Sequence, residues 1–136
     1  MNLDKDCARD VLLYVKDFCT YQETNHKKDW HEVSFNELCK SERCGKYGLE
    51  TISYTIKMLV SYNFITLGKF KCKSDIDRNF ENVHIDSLTA SGHEFIDNLT
   101  DNETWEKVKS LIKDSSIKEC SLSIHKIIYD EIMHDS

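Results

Sequence analysis

Three lysines stand at every second position in the stretch GKFKCK, at residues 69, 71 and 73. Alternate side chains of a strand point to one face, so Lys69, Lys71 and Lys73 would align three ammonium groups. Such a row can bind the phosphates along one DNA strand. It can equally stop a hairpin edge from pairing with another chain, because lysines are a common protection for exposed edges.

A helix is predicted immediately before this strand, between residues 47 and 62. Its apolar residues recur at helical spacing and should face the core: Leu49, Ile52, Ile56, Leu59 and Val60. The opposite face carries Ser53, Tyr54 and Lys57, which such a helix could turn into the major groove of DNA. That face also carries Glu50 and lacks arginine, a composition that weakens base reading.

Basic residues next to these elements complete one candidate surface. Arg43 and Lys46 stand before the helix, where they could contact phosphates, and Arg78 follows the lysine row in the same basic segment. The nucleic-acid-binding residues predicted from the sequence are Arg43, Lys46, Ser53, Tyr54, Lys57, Lys69, Lys71, Lys73 and Arg78.

Charge is distributed unevenly along the chain. The 136 residues carry a net charge of −6, which argues against a protein that coats nucleic acid through bulk electrostatics. Residues 43–78 hold seven basic and three acidic side chains, a net charge of +4. The remaining residues hold 11 basic and 21 acidic side chains, a net charge of −10. Positive charge is therefore concentrated in one contiguous segment.

The residue patterns of common enzymes are missing. The sequence has no glycine-rich phosphate loop, no nucleophile elbow, and no second histidine to complete H-E-x-x-H. Cys39 and Cys44 could bind zinc with His31, but a second cysteine pair is missing and Cys39 fits a helical apolar stripe. We therefore expect no catalysis, no metal and no cofactor.

Length and composition predict one globular domain, and its N-terminal residues predict that it lies in the cytoplasm. The chain is long enough for a single core, and 40% of its residues are hydrophobic. The charged start MNLDKDCARD lacks the apolar region of a signal peptide, and no apolar run is long enough for a membrane span. We therefore expect the six cysteines to be reduced, with Cys7, Cys19 and Cys39 in apolar positions.

The first half of the chain reads as three helices. Helical spacing predicts a first helix from Asp4 to Tyr21, with one apolar face made of Cys7, Val11, Tyr14, Val15 and Phe18. The polar stretch QETNHKKD that follows predicts a loop. Ser34 and Glu37 form an S-x-x-E capping box at the start of a short second helix, and Val33 either staples that helix or forms a strand bridge. The third helix is the one between residues 47 and 62.

The period changes to two after Asn63, which suits the left-handed position beyond a helix end. A strand should begin at Phe64 and be interrupted near Gly68, with Phe70 and Cys72 continuing it. After the loop KSDIDRNFEN, a returning strand should contain Val83, Ile85 and Leu88. A helix capped by Thr89 or Ser91 should follow, and it should either continue or restart after residues 100–102 to include Trp105. A tail helix capped by Ser121 should come next.

This order of elements predicts an α+β, mainly α fold of the winged helix-turn-helix type. It would consist of three helices and a two- or three-stranded wing at residues 1–100, with a C-terminal helical extension at residues 101–136 packed on the same domain. The extension offers more apolar surface than a winged helix usually needs. It could cover the first helix or form the two-fold interface of a homodimer.

Several stretches carry a resemblance to known proteins. YTIKMLVSYNFI is similar to the end of a winged-helix recognition helix, and LTASGHEFIDNL resembles the phrase that closes the wing in such domains. Together with CARDVLLYVKD, GHEFIDNLTDNETWEKVKSLI and SLSIHKII, these stretches resemble an uncharacterised phage and prophage family, a domain of unknown function. The resemblance spans nearly the whole chain and implies the winged-helix fold but no activity.

Two functions remain open, and neither involves catalysis. The first is binding of double-stranded DNA in a regulatory role, through helix 47–62 and a wing at residues 64–88. The second is an adaptor or inhibitor that binds a host protein through the acidic surface outside residues 43–78. Lys69, Lys71 and Lys73 fit the first function but would also serve as plain edge protection.

Overall fold

The computed structural model describes residues 3–68 and 83–111. The central helix of the fold is α1, Lys5–Phe18. The Asp4 carboxylate accepts a hydrogen bond from the Cys7 N–H at 3.0 Å and caps the helix. Every residue from Cys7 to Val15 is buried, so the helix lies among the other elements. Phe18 was predicted to face the core but is exposed, because the helix ends there.

The stretch QETNHKKD was predicted to be a loop, and this prediction is wrong. Strands β1 (Tyr21–Thr24) and β2 (Lys27–Trp30) form an antiparallel hairpin there. Helix α1 therefore ends at Phe18, three residues before its predicted end at Tyr21. Asn25 and His26 form its turn with φ values of 50° and 66°, as a two-residue hairpin turn requires. Residues 21–23 and 27–30 of the hairpin are exposed, so its polar composition did not predict strands.

The next elements are β3 (Val33–Ser34) and α2 (Phe35–Lys40). Ser34 accepts a hydrogen bond from the Glu37 N–H at 3.0 Å, which confirms it as the cap of α2. The Glu37 carboxylate accepts a hydrogen bond from the Tyr14 hydroxyl at 2.8 Å, so α2 is tied to α1. Of the two roles predicted for Val33, the structure shows the strand bridge, in which Val33 pairs with Ile85.

A 3-10 turn at Gly45–Tyr47 leads into α3, Leu49–Ser61. Ile52, Ile56 and Leu59 are fully buried, as the helical spacing predicts. Leu49 was predicted to face the core as well, but it is 62% exposed. Leu49 is exposed because it is the first residue of α3, where the helix no longer packs on the core.

Helix α3 ends at Ser61, and Asn63 two residues later has a φ of 62°, which confirms the predicted left-handed position. Strands β4 (Ile65–Leu67) and β5 (His84–Leu88) follow and pair antiparallel, with a register shift between Thr66 and Leu67. β3 pairs with the other edge of β5, so the sheet has the order β3-β5-β4. The predicted strand residues Phe70 and Cys72 lie outside the described residues.

Two further helices complete the described fold, α4 (Ala90–Asp97) and α5 (Asn102–Leu111). Thr89, one of the two predicted caps, accepts a hydrogen bond from the Gly92 N–H at 3.0 Å. Asp101 caps α5 by accepting from the Thr104 N–H at 2.9 Å. The predicted tail helix from Ser121 lies outside the described residues.

One hydrophobic core joins α1, α3, α4, α5 and the β3-β5-β4 sheet. Trp105 and Val108 of α5 belong to this core, so α5 packs on the same body as the preceding helices. Residues 3–68 and 83–111 thus form an α+β fold that is mainly helical, with five α-helices and two small antiparallel sheets. Within these ranges, no helix has the length and apolar character needed to cross a membrane.

Candidate nucleic-acid interface

Helix α3 turns three of the predicted contact residues away from the core. Ser53, Tyr54 and Lys57 are partly exposed, whereas the opposite side of the helix is buried at Ile52 and Ile56. The Ser53 hydroxyl donates a hydrogen bond to the Leu49 carbonyl at 2.7 Å, so it is held against the helix backbone. The helical spacing therefore places these three residues on one accessible side, as the sequence predicts.

The two cations before α3 meet on a carboxylate of α1. An Arg43 guanidinium nitrogen lies 3.3 Å from Asp10 Oδ1, and Lys46 Nζ lies 3.6 Å from Asp10 Oδ2. The Tyr47 hydroxyl donates to the same carboxylate at 2.5 Å. Burial and this hydrogen bond raise the pKa of Tyr47, so its hydroxyl stays protonated as a donor. We call these four residues the Asp10 network.

The Asp10 network orients its cations without removing them from solvent. The Asp10 side chain is only 12% exposed, whereas the side chains of Arg43 and Lys46 are 43% and 61% exposed. One carboxylate charge opposes two cationic charges, which leaves a net charge of +1 within the network. An Arg has five N–H donors, so a single bond to Asp10 leaves Arg43 donors for a phosphate.

A second charged group joins α1 to α5 beside this network. The Trp105 indole N–H donates to Asp6 Oδ1 at 2.8 Å, and Lys109 Nζ lies 3.1 Å from the same oxygen. Buried Arg9 donates to the Leu99 carbonyl at 2.8 Å and to Asn102 Oδ1 at 2.9 Å. A polar cleft of about 430 Å³ separates this group from the Asp10 network. The contacts fix α5 to α1.

Asp6 should make the stability of the protein sensitive to acid. Burial raises the pKa of this carboxyl, but the hydrogen bonds from Trp105 and Lys109 outweigh burial and hold the pKa below its usual value. A carboxyl of this kind stabilises the fold above its unfolded pKa near 3.8, and the contribution disappears as the pH falls through the folded value. Because the side chain is 48% exposed, we expect at most about 1 kcal/mol.

We therefore expect the Asp6→Asn variant to have a lower free energy of unfolding than the wild type at pH 7. Below about pH 5, the free energy of unfolding should fall less for the variant than for the wild type. Urea unfolding followed by tryptophan fluorescence at a series of pH values measures this difference. Glu103→Gln on α5 is the control, since it removes the same charge from an exposed side chain. Parallel pH curves for wild type and Asp6→Asn would contradict the prediction.

The base of the predicted wing is held by β3, β4 and β5. The Gly68 N–H donates to the His84 carbonyl at 2.9 Å, which closes the hairpin where the described residues stop. The Glu32 carboxylate lies against Gly68, where a side chain would collide with it, and its Oε2 is 4.0 Å from His84 Nδ1. The predicted contact residues Lys69, Lys71, Lys73 and Arg78 lie outside the described residues.

The cysteines of the described residues are unreactive thiols. Cys7, Cys19, Cys39 and Cys44 form no disulfide. Burial raises the pKa of Cys7 to about 12 and those of Cys19 and Cys44 to about 11, so thiolate is scarce at neutral pH. In residues 3–68 and 83–111, no group of three or more His, Cys, Asp or Glu side chains is placed to hold a metal ion.

Sequence reasoning missed the carboxylate that links the two cations. Asp10 was not among the predicted contact residues, and it lies in the buried part of α1. Asp6 and Asp10 are four residues apart, so they share one side of α1. The spacing of these two carboxylates was the available signal that cations of another element would pair with this side of α1.

Comparison with known proteins gives one family match. A family model with the description "Hypothetical protein (DUF2513)" matches residues 2–118, which is most of the chain. No curated protein and no solved structure matches.

Proposed function

This chain belongs to the DUF2513 family of hypothetical proteins, and from its geometry we propose that it is a winged-helix protein that binds double-stranded DNA in a regulatory role. Helix α3 would enter the major groove, and the segment between β4 and β5 would lie along the phosphates. The proposal places the protein in the cytoplasm of a bacterial cell, in a phage or prophage context.

The order of the elements supports the winged-helix assignment. In that plan a short strand precedes the helix-turn-helix pair, and the hairpin that follows the pair adds the other two strands. Here β3 precedes α2 and α3, β4 and β5 follow them, and β5 lies between its two partners. The exposed hairpin β1-β2 is an addition to this plan, inserted between α1 and β3.

The single observation that carries the proposal is the accessible side of α3 together with the basic chain around it. Ser53, Tyr54 and Lys57 lie on that side, and Arg43 and Lys46 stand exposed before it. The helix continues directly into the hairpin whose connecting segment holds Lys69, Lys71 and Lys73. Segment 43–78 has a net charge of +4, the sign that a phosphate-lined groove requires.

A salt series tests the proposal directly. We expect the full chain to bind a mixed-sequence duplex at low salt, with an affinity that falls linearly on a log–log plot against salt concentration. With five or six phosphate contacts, the slope should be roughly −5. Fluorescence anisotropy of a labelled duplex between 25 and 300 mM salt (roughly the range in which such contacts are lost) measures it. Absence of binding at the lowest salt would overturn the proposal.

The exposed acidic side of α4 and α5 favours a second candidate, an adaptor or inhibitor that binds a host protein. Its exposed carboxylates are Glu94, Asp97, Asp101, Glu103 and Glu106. Among them, Asp97 pairs with Lys16, Asp101 caps α5, and Glu106 pairs with Lys109. This candidate would be supported if the wild type binds no DNA but captures one host protein from lysate, and if the Glu103→Lys variant no longer captures that protein.

A further inference from the structure

The first residue of α3 is an exposed leucine. Leu49 is 62% exposed, although its spacing to Ile52 and Ile56 is that of a core residue. Gly48 before it has a φ of 86°, and no atom of the described residues lies within 4 Å of the place where a side chain at Gly48 would begin. Residues 3–68 and 83–111 therefore leave the space in front of α3 open. Places where a regular sequence pattern is not followed by burial concentrate at functional sites.

The charges around Leu49 suit a nucleic acid. Arg43 and Lys46 precede it and are held by Asp10 with their side chains 43% and 61% exposed. Residues 43–61 contain three basic side chains and one acidic side chain, so with the charge of Asp10 the group has a net charge of +1 in a chain of net charge −6. Phosphates border the major groove on both sides, so cations beside a protruding apolar side chain match the groove and its edges.

Resting on the proposed DNA binding, we propose that Leu49 contacts the C5-methyl group of a thymine in the major groove and gives the protein a preference for that base. The methyl of thymine is the apolar feature of the major-groove pattern of base pairs. The N-terminal residues of a groove helix are the ones that reach base edges. Leu49 occupies that position, and its side chain has no hydrogen-bonding group to compete for other base atoms.

The test compares thymine with uracil, which differs only by the methyl. Duplexes that the full chain binds are selected from a random pool, and each thymine of the recovered site is replaced singly by uracil. At one position the wild type should lose roughly fourfold in affinity, the contribution of one buried methyl. Leu49→Ala should bind the thymine and uracil duplexes equally. Leu49→Met should keep the preference, since it retains an apolar side chain of similar volume.

The outcomes separate this inference from the proposed function. If the wild type binds every uracil duplex as well as the parent, Leu49 does not read thymine, and DNA binding still stands. If Leu49→Ala keeps the fourfold loss, a different residue reads the methyl and the assignment is overturned. If no duplex is recovered, DNA binding and the inference fail together. Circular dichroism checks that Leu49→Ala is folded, which its exposure predicts.

Discussion

Replacing Lys69, Lys71 and Lys73 together by glutamate is expected to weaken binding to duplex DNA by at least about 100-fold at 0.1 M salt. Three phosphate contacts would be lost, and three carboxylates would repel the backbone in their place. The slope of log affinity against log salt should become shallower by roughly 3, because each lost contact removes about one released counterion. Fluorescence anisotropy of a labelled duplex across a salt series measures both quantities.

The matched control reverses the charge of three lysines outside the proposed interface. Lys27, Lys28 and Lys40 are exposed and lie on β2 and α2, outside α3 and the β4-β5 hairpin. Their replacement by glutamate also changes the net charge from −6 to −12. A specific interface predicts a much smaller loss for this control than for Lys69, Lys71 and Lys73. Equal losses would mean that bulk charge sets the affinity and that residues 69–73 form no defined contact.

Local signals in the sequence were sufficient to place most helix starts and one helix end. Ser34 and Thr89 each accept a hydrogen bond from the N–H three residues later, as their side chains allow. Asn63 adopts the left-handed conformation that its short polar side chain tolerates. These features depend on a few neighbouring residues, so they can be predicted without knowing the rest of the fold.

Features that depend on distant residues could not be predicted in the same way. The β1-β2 hairpin has no alternation of apolar and polar residues, because both of its faces are exposed. Its stability comes from backbone pairing, from the Tyr21–Trp30 ring contact at 5.1 Å, and from the Trp30 indole N–H, which donates to the Asp86 carbonyl at 2.7 Å. The last of these joins residues 56 positions apart, beyond the reach of any local pattern.

The candidate site shows the same division. Helical spacing located the accessible side of α3, but it placed Leu49 on the core face, because periodicity does not say where the core ends. Likewise, counting charges found the basic segment but not its pairing with α1, since Asp10 is 33 residues from Arg43 in the chain. Sequence patterns thus located the accessible side of α3 and the basic segment. The ion pairs between this segment and α1 could be seen only in the packed structure.

Gly92→Ala is expected to destabilise the fold by about 3 kcal/mol, the upper range for an added methyl group without space. Gly92 lies in the first turn of α4, and a side chain there would collide with the backbone carbonyl oxygen of Phe64. That oxygen also accepts a hydrogen bond from the Thr89 N–H at 2.9 Å, so it cannot move without losing this bond. A fall of roughly 10 °C in Tm should result, measured by circular dichroism.

Two variants in the same turn serve as controls for the destabilisation expected of Gly92→Ala. Ser91→Ala adds no atoms to an exposed position and should change stability by less than about 0.5 kcal/mol. Thr89→Ala removes the cap of α4 and should cost about 1 kcal/mol. Phe64 directly follows Asn63, where α3 turns into the sheet, so Gly92 fixes α4 at the base of the proposed recognition helix. A Tm for Gly92→Ala equal to that of Ser91→Ala would contradict this close contact.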